Sequence, residues 1–291
     1  MSLKVLVPGA LTTVQDLGRY GYQQSGMPCS GVMDQDAFRT ANELLGNSPD
    51  AAVLEHTLFG GGYQFTSDTI IALTGADMAP TLNGAPCPMY RPVAAASGSV
   101  LMLGMAKSGC RTYLAAAGGI DVPVVLGSRS TNLKCRIGGY QGRVLQAGDI
   151  LLTGESSVSY DEIADRTAEP PLFSSEITVR VIEGPQADYF TEKGLQTFYQ
   201  ETYTVSEQSD RMGCRMDGPA IESIRGTDII SDGIVFGSIQ VTSAGQPIIL
   251  MADRQTTGGY AKIATVYSRD LPLLAQCKPG DKVHFSKKEF I

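Results

Sequence analysis

The sequence is poor in several residues on which common functional sites depend. Its 291 residues include only two histidines and no tryptophan, so a zinc site built on histidine has almost no ligands available. The six cysteines form no Cys-x-x-Cys pair and have no regular spacing, which disfavours a metal cluster and the cysteine-dense framework of a small secreted protein. A Cys–His nucleophile pair would need His56 or His284, and each lies in a segment typical of a strand.

Basic residues and long apolar runs are also scarce. The 23 Lys and Arg residues are outnumbered by 30 Asp and Glu residues, which gives a formal net charge of −7. Proteins that bind nucleic acid gain most of their affinity from cationic surfaces, so no nucleic-acid partner is expected. No segment approaches the roughly 20 apolar residues that span a bilayer, and residues 1–9 lack the features of a signal peptide. We therefore expect a cytoplasmic globular protein without a membrane partner.

Glycine is abundant, with 33 residues, and it separates short segments rich in branched and aromatic side chains. This pattern predicts short β-strands joined by tight turns. The dipeptide Asn83-Gly84 suits a hairpin turn, because both residues tolerate a positive φ. In the first half, strands are predicted at residues 5–7, 69–73, 100–103, 113–115 and 150–152. In the second half, they are predicted at residues 177–182, 233–236, 247–251 and 282–285.

Two segments have the character of helices. From Asp36 to Leu45 the apolar residues recur on one face with a period near 3.6, and Gly46 then supplies a left-handed stop. A second helix is predicted to begin at Pro185 and to extend through Tyr189 toward Phe198. Helices are therefore expected to be few and short.

The stretch 156–175 differs from its surroundings because it is polar and acidic and contains Pro170-Pro171. Such a composition favours a linker. Short motifs recur in the same order on either side of it, which predicts a duplicated β-rich domain, with residues 1–155 as the first copy and 176–291 as the second. Two of the matched pairs are Lys4–Gly9 with Val179–Gly184, and Met33-Asp34 with Met216-Asp217.

Polar side chains concentrate in two segments of the second half. Within Ser209–Gly218, which is predicted to be a loop, Arg211 and Arg215 can bind a carboxylate or a phosphate through two-point contacts. A neighbouring aspartate such as Asp217 can orient an arginine or accept a proton. An exposed loop with internal ion pairs explains the same residues equally well.

The other segment, Asp253 to Tyr260, directly follows an apolar strand. Polar groups at the end of a buried strand are held rigidly, which favours a positioned site. The Gly258-Gly259 pair allows backbone N–H groups to approach an anion or a carbonyl oxygen. A hairpin corner in which Asp253 and Thr257 bond to local backbone is the alternative.

The first half offers weaker candidates. The polar loop 127–131 carries Arg129 and Ser130, but serine-rich loops also cap helices. Residues Gly104–Gly109 have the glycine spacing of a P-loop, yet Cys110-Arg111 follows where a lysine and a Ser or Thr are needed. A nucleotide would therefore not be bound through a familiar phosphate loop of this chain.

A series of motifs runs in order through both halves. The motifs are Thr13–Arg19, Gly31–Asp34, Leu73–Ala76, Gly118–Pro123, Leu126–Thr131, Arg211–Gly213, Gly245–Ile248, Asp253–Tyr260 and Pro279–Asp281. Together they resemble the KipA family, also called allophanate hydrolase subunit 2. The resemblance implies a mainly β fold, with two tandem cyclophilin-like β-barrel domains and a few short helices.

The resemblance also implies a function. Members of this family act beside a KipI-like partner, and bacterial pairs are two of the three components of an ATP-dependent 5-oxoprolinase, a hydrolase acting on a cyclic amide. The component that this chain resembles would help to activate the lactam of 5-oxoproline for hydrolysis to L-glutamate, together with a third, LamB/YcsF-like component. ATP, with Mg²⁺, would be bound by or together with a partner subunit, and the chain would be inactive alone.

Catalytic roles are predicted, mostly from residue chemistry, for Arg211, Arg215, Asp217 and Asp253. The arginines would hold the substrate carboxylate or the phosphate, and the aspartates would orient or deprotonate the amide nitrogen. No metal ligands are predicted. Substrate-binding residues would be Arg254, Gln255, Thr256, Gly258, Gly259, Tyr260, Arg129 and Ser130.

Two alternatives stay open. Relatives fused into urea carboxylase move a carboxyl group from biotin, so this chain could be a biotin-dependent carboxyltransferase component that acts on urea or another amide. It carries no biotin attachment sequence of the Ala-Met-Lys-Met type, so a separate carrier would be required. The second alternative is a non-catalytic regulator that binds a KipI-like kinase inhibitor.

Overall fold

The structure is a computed structural model that describes residues 2–289. The chain divides into two compact units: unit 1 contains Met1–Tyr20 and Ser30–Phe173, and unit 2 contains Gly21–Cys29 and Ser174–Ile291. Met1, Phe290 and Ile291, which the domain prediction included, lie outside the described residues. Within residues 2–289, no helix has the length and apolar character needed to cross a membrane.

Unit 1 is built from two antiparallel sheets whose inner faces share one apolar core. The larger sheet has the strand order β11-β12-β1-β4-β9-β6-β7, and the smaller has the order β2-β3-β10-β5-β8. Asn83 and Gly84 have φ values of 53° and 81° in the turn between β6 and β7, which confirms the predicted hairpin. The strands are β1 (Ser2–Val7), β2 (Leu11–Gln15), β3 (Val53–Thr57), β4 (Gly62–Phe65), β5 (Thr69–Asp77), β6 (Thr81–Leu82), β7 (Ala85–Pro86), β8 (Val93–Ala95), β9 (Val100–Met102), β10 (Ser108–Ala116), β11 (Ile120–Asp121) and β12 (Ile150–Thr153).

The first helix, α1 (Gln35–Leu45), confirms the helix predicted from the apolar spacing. It begins where the Asp34 carboxylate accepts hydrogen bonds from the backbone N–H groups of Asp36 and Ala37, and such a cap contributes about 1 kcal/mol. It ends at Gly46, which has a φ of 65°. Its buried face, which includes Phe38, packs on the outer side of the smaller sheet.

Unit 2 contains a closed seven-stranded barrel with the order β13-β20-β17-β18-β15-β14-β21, and a separate ribbon of β16 and β19. With the sheets of unit 1, this barrel confirms the mainly β class. The strands are β13 (Glu176–Glu183), β14 (Tyr203–Val205), β15 (Gly213–Asp217), β16 (Asp228–Gly233), β17 (Ser238–Val241), β18 (Pro247–Leu250), β19 (Thr257–Tyr260), β20 (Lys262–Val266) and β21 (Lys282–Lys287).

Helices in unit 2 depart from the sequence prediction. The predicted start at Pro185 is wrong, because α3 (Glu192–Gln200) begins only after Thr191, whose hydroxyl accepts a hydrogen bond from the Gly194 N–H; the predicted continuation to Phe198 is confirmed. A single 3-10 turn, Ala187–Tyr189, precedes it. The other helix is α4 (Leu271–Ala275).

Residues 156–173, most of the predicted linker, are part of unit 1. The short helix α2 (Tyr160–Ile163) begins with a capping box between Ser159 and Glu162. Ile163 is buried in the apolar cluster beneath α1, and Arg166 donates a hydrogen bond of 2.8 Å to the Glu43 carbonyl. A single well-placed apolar residue therefore anchors a stretch whose average composition is that of a linker.

Candidate functional site

Two of the predicted catalytic residues, Arg211 and Asp253, meet at one end of the unit 2 barrel. Arg211 precedes β15 and Asp253 follows β18, and these strands are antiparallel neighbours, with Gly213 opposite Leu250. The guanidinium Nε and Nη2 atoms of Arg211 donate to the Asp253 carboxylate at 2.9 and 3.2 Å. The Asp253 N–H also donates to the Arg211 carbonyl at 2.8 Å. Strand pairing thus brings together two residues that are 42 positions apart in the sequence.

This ion pair is almost completely removed from solvent, with side-chain exposures of 5% and 8%. Two charges are tolerated at such burial only when each satisfies the other. Arg211 was predicted to hold the substrate carboxylate or the phosphate, but its Nε and Nη2 atoms bind Asp253. The geometry therefore favours a positioning role, in which Asp253 fixes Arg211 and the backbone that leads into β19.

Arg215 and Asp217 lie elsewhere on the barrel. The predicted loop is wrong for residues 213–217, which form β15 and pair with β14 and β18. Side chains alternate along a strand, so Cys214 and Met216 are buried while Arg215 and Asp217 are exposed. The structure therefore does not join Arg215 and Asp217 to the Arg211–Asp253 pair.

Six of the predicted substrate-binding residues, which are all of 254–260 except Thr257, lie in a mostly half-buried strip that continues from Asp253. Arg254 donates to the Met251 carbonyl at 3.3 Å and lies over the Phe236 ring at 5.4 Å. Gln255 and Thr256 are half-buried. Gly258, Gly259 and Tyr260 are in β19, and Gly258 pairs with Asp232 of β16. The hairpin-corner alternative, in which Asp253 bonds to local backbone, is wrong for the Asp253 carboxylate, which binds Arg211.

A buried lysine that the sequence reasoning missed lies beside this strip. The Lys262 ammonium donates to the Asp232 carboxylate at 2.7 Å and to the Gly233 carbonyl at 3.2 Å, and the lysine side chain is only 5% exposed. This hydrogen bond holds the pKa of the Asp232 carboxyl below its ordinary value. A lysine at the start of a mostly apolar strand, directly after Gly-Gly-Tyr-Ala, is the signal that could have revealed it.

Two glutamine side chains complete the surroundings of Lys262. The Gln240 side chain donates to the Tyr260 carbonyl at 3.1 Å, and the Gln186 side chain accepts from the Lys262 N–H at 3.1 Å. A Cβ atom on Gly258 would lie 2.6 Å from the Gln240 amide nitrogen, so a larger residue at this position would displace the Gln240 side chain. Unit 2 thus holds a compact polar site around Lys262, in which β19 contributes backbone.

In unit 1, the predicted residues Arg129 and Ser130 belong to a loop that folds around Asp16. The Asp16 carboxylate accepts hydrogen bonds from the Ser128 hydroxyl at 2.6 Å, the Ser130 hydroxyl and the Arg129 N–H. Ser130 is fully buried, so its hydroxyl stabilises the loop and does not face a ligand. The Arg129 guanidinium pairs with Asp121 at 3.3 Å. Within residues 2–289, no group of three or more His, Cys, Asp or Glu residues is arranged to hold a metal.

Comparisons with known proteins agree with the resemblance. The model of the family described as carboxyltransferase domain, subdomain A and B, matches residues 25–287. The C subunit of 5-oxoprolinase from Escherichia coli is 40% identical over 97% of this chain and 90% of its own length, and that from Haemophilus influenzae is 39% identical over 94% and 87%. The crystal structure of the K. lactis urea amidolyase superposes with a TM-score of 0.93 at 34% identity, over 99% of this chain but only 19% of that protein. This chain therefore belongs to the carboxyltransferase-domain family, subdomains A and B.

Proposed function

We propose that this chain is the C subunit of an ATP-dependent 5-oxoprolinase and acts with a KipI-like subunit and a LamB/YcsF-like subunit. The observation that carries the proposal is the 40% identity to the Escherichia coli C subunit over 97% of this chain and 90% of that relative. A match that spans both chains almost end to end supports a shared role in a whole assembly, beyond a shared fold.

The proposed reaction opens a stable lactam by activating its carbonyl oxygen. The γ-phosphoryl group of ATP moves to that oxygen, the lactam nitrogen loses its proton, and ADP leaves. One water then adds to the carbonyl carbon and the C–N bond breaks, which leaves an acyl phosphate and a free amine. A second water cleaves the acyl phosphate to give L-glutamate and phosphate. We assign Mg-ATP to a partner subunit or to a shared site, because the P-loop-like segment of this chain lacks the required lysine.

The unit 2 site suits the activation step because negative charge develops on the lactam oxygen. A buried ammonium such as that of Lys262 stabilises such charge far better than a solvated one, since water screens it less. The Arg211–Asp253 pair holds the start of the 254–260 strip, whose Gln255 and Thr256 can contact substrate oxygens. Lys262 is therefore the proposed electrostatic catalyst, and Asp253 and Arg211 are positioning residues.

Replacing Lys262 with glutamine is expected to lower kcat in the assembled enzyme at least tenfold, which is about 1.4 kcal/mol of transition-state stabilisation. Folding should be little affected, because the partner carboxylate of Asp232 is 54% exposed and can be solvated. Lys287→Gln is the matched control, since Lys287 is 63% exposed and pairs with Glu183 at 2.8 Å. The kcat of each variant is measured by steady-state kinetics and compared with that of the wild type. Equal kcat values for Lys262→Gln and the wild type would remove Lys262 from the mechanism.

A drop-out experiment tests the proposal itself. The chain is mixed with the KipI-like and LamB/YcsF-like subunits from the same organism, ATP, Mg²⁺ and 5-oxoproline, and glutamate is quantified with each component omitted in turn. We expect glutamate only from the complete mixture. A complete, folded mixture that forms no glutamate would reject the proposal.

A carboxyltransferase role is the second candidate, and the family model together with the close superposition on the K. lactis urea amidolyase favours it. The same mixtures distinguish the two candidates when 5-oxoproline is replaced by urea, bicarbonate, a biotin carrier protein and the biotin carboxylase that carboxylates the carrier with ATP. Carboxylation of urea that depends on the carrier and on this chain would support the carboxyltransferase.

A further inference from the structure

A cavity of about 550 Å³ lies in unit 1, between the outer face of β12 and the loop 136–142. Its volume falls in the range of roughly 300–1,000 Å³ that is typical of small-molecule sites. One wall is apolar and consists of Val122, Pro123, Ile150 and Leu152. Ile150 and Leu152 are 53% and 55% exposed although their strand is flanked by β1 and β11. These side chains therefore present apolar surface that no other part of the described chain covers.

The opposite wall is a loop with an unusual backbone. Five of its seven residues have a positive φ: Arg136 (54°), Gly138 (67°), Gly139 (52°), Gln141 (58°) and Gly142 (67°). Two of these residues are not glycines, and a left-handed conformation is strained for a residue that carries a Cβ atom. Such a conformation persists only where the surroundings enforce it, so we expect specific contacts to hold the loop in this shape.

Contacts on the far side of the loop enforce this conformation. The Gly139 N–H donates to the Arg129 carbonyl at 3.0 Å, and a Cβ atom on Gly138 would lie 2.1 Å from the Ser130 carbonyl oxygen. The Arg143 guanidinium binds both oxygens of Asp149 at 2.7 and 2.8 Å and lies 5.0 Å from the Tyr140 ring centroid. The cavity wall is therefore rigid before any ligand arrives.

Two backbone N–H groups of the loop are available to a ligand. The backbone N–H groups of Tyr140 and Gln141, both lining residues, have no hydrogen-bond acceptor within residues 2–289. Tyr140 lies between two residues of positive φ, and such alternation turns successive N–H groups toward a common point that binds anions. The exposed Arg136 also lines the cavity. The one acidic lining residue, Asp121, is balanced by Arg129 at 3.3 Å.

We propose that this cavity binds a small organic carboxylate with an aliphatic or aromatic body. Two backbone amides and one guanidinium match the two oxygens of a carboxylate, and the apolar wall accepts the body of the ligand. The site is separate from the Lys262 site of unit 2, and binding is measured without turnover. Failure of this proposal would therefore leave the 5-oxoprolinase proposal standing, and the reverse also holds.

Isothermal titration of the purified chain with octanoate tests the site, with octan-1-ol as the uncharged probe of matched length. We expect saturable octanoate binding, at least tenfold weaker binding of octan-1-ol, and about tenfold weaker octanoate binding by Arg136→Gln. Leu152→Asp, at an exposed position, should abolish binding without unfolding the chain. Lys134→Gln, which removes an exposed cation outside the lining, is the charge control and should bind as the wild type does.

Two results would overturn the proposal. One is the absence of saturable octanoate binding to the folded wild-type chain. The other is an equal loss of affinity in Arg136→Gln and Lys134→Gln, which would indicate attraction to general surface charge.

Discussion

Replacing Asp253 with alanine is expected to lower the free energy of unfolding of unit 2 by about 3–5 kcal/mol. The Arg211 side chain is only 5% exposed and hydrogen-bonds to both carboxylate oxygens of Asp253. Removal of the carboxylate leaves the buried guanidinium without the two hydrogen bonds and the negative charge that Asp253 supplies, and the barrel cannot solvate it without opening. Urea denaturation followed by circular dichroism measures the loss.

An exposed ion pair in the same barrel provides the control. Glu183 pairs with Lys287 at 2.8 Å, and both side chains are more than half exposed, so Glu183→Ala should change stability by no more than about 1 kcal/mol. The double variant Arg211→Met/Asp253→Leu removes both charges and should recover most of the stability that Asp253→Ala loses. If Asp253→Ala and Glu183→Ala cost the same, the buried pair has no special structural role.

Acidification below pH 6.5 is expected to destabilise unit 1 through His56. Burial, the main cause, lowers the pKa of this histidine from 6.5 to about 4. The ring is fully buried, with Nδ1 3.2 Å from the Thr112 carbonyl and Nε2 2.6 Å from the Tyr63 hydroxyl. Nδ1 therefore carries the proton and Nε2 accepts from Tyr63.

The lowered pKa of His56 means that the folded protein loses stability as the pH falls. The unfolded chain takes up a proton at His56 near pH 6.5, whereas the folded chain resists protonation until the pH is about 4. The contribution to stability is complete above pH 6.5 and is lost as the pH falls toward 4, by a total of about 3 kcal/mol. The measurement is the free energy of unfolding from pH 7.5 to 4 for the wild type and His56→Gln.

The carboxyl groups titrate in both proteins, so their effect cancels when one curve is subtracted from the other. The difference is therefore the contribution of His56 to the pH dependence of stability. We expect the wild type to lose more stability than His56→Gln over this interval. His284→Gln is the control, since His284 is partly exposed and bonds to Glu176 at 2.8 Å. Parallel curves for the wild type and His56→Gln would contradict the assignment of a neutral buried histidine.

Local signals account for the elements that the sequence predicts well. Helix α1 follows from its apolar spacing, its aspartate cap and its terminal glycine, all of which lie within 13 consecutive residues. The same reasoning fails for β15, because Arg215 and Asp217 alternate with Cys214 and Met216 in a polar segment that resembles a loop. The alternation itself was the strand signal, and polarity concealed it.

The candidate site was harder to predict because it depends on contacts between distant segments. Arg211 and Asp253 were identified separately, but only the pairing of β15 with β18 reveals that they neutralise each other. Lys262 was missed because a lysine in a strand normally points to solvent, and only the tertiary structure shows that its side chain is buried and pairs with Asp232 of β16. The motifs indicated the segments 209–218 and 253–260, and the tertiary structure shows which of their side chains pair with each other.

The most direct measurement is the ratio of glutamate to ADP formed by the complete three-component mixture, with and without this chain. If the chain couples ATP hydrolysis to opening of the lactam, we predict one glutamate for each ADP, and no glutamate when the chain is omitted. ADP release without glutamate from the complete mixture, or glutamate formation that continues without this chain, would contradict that function.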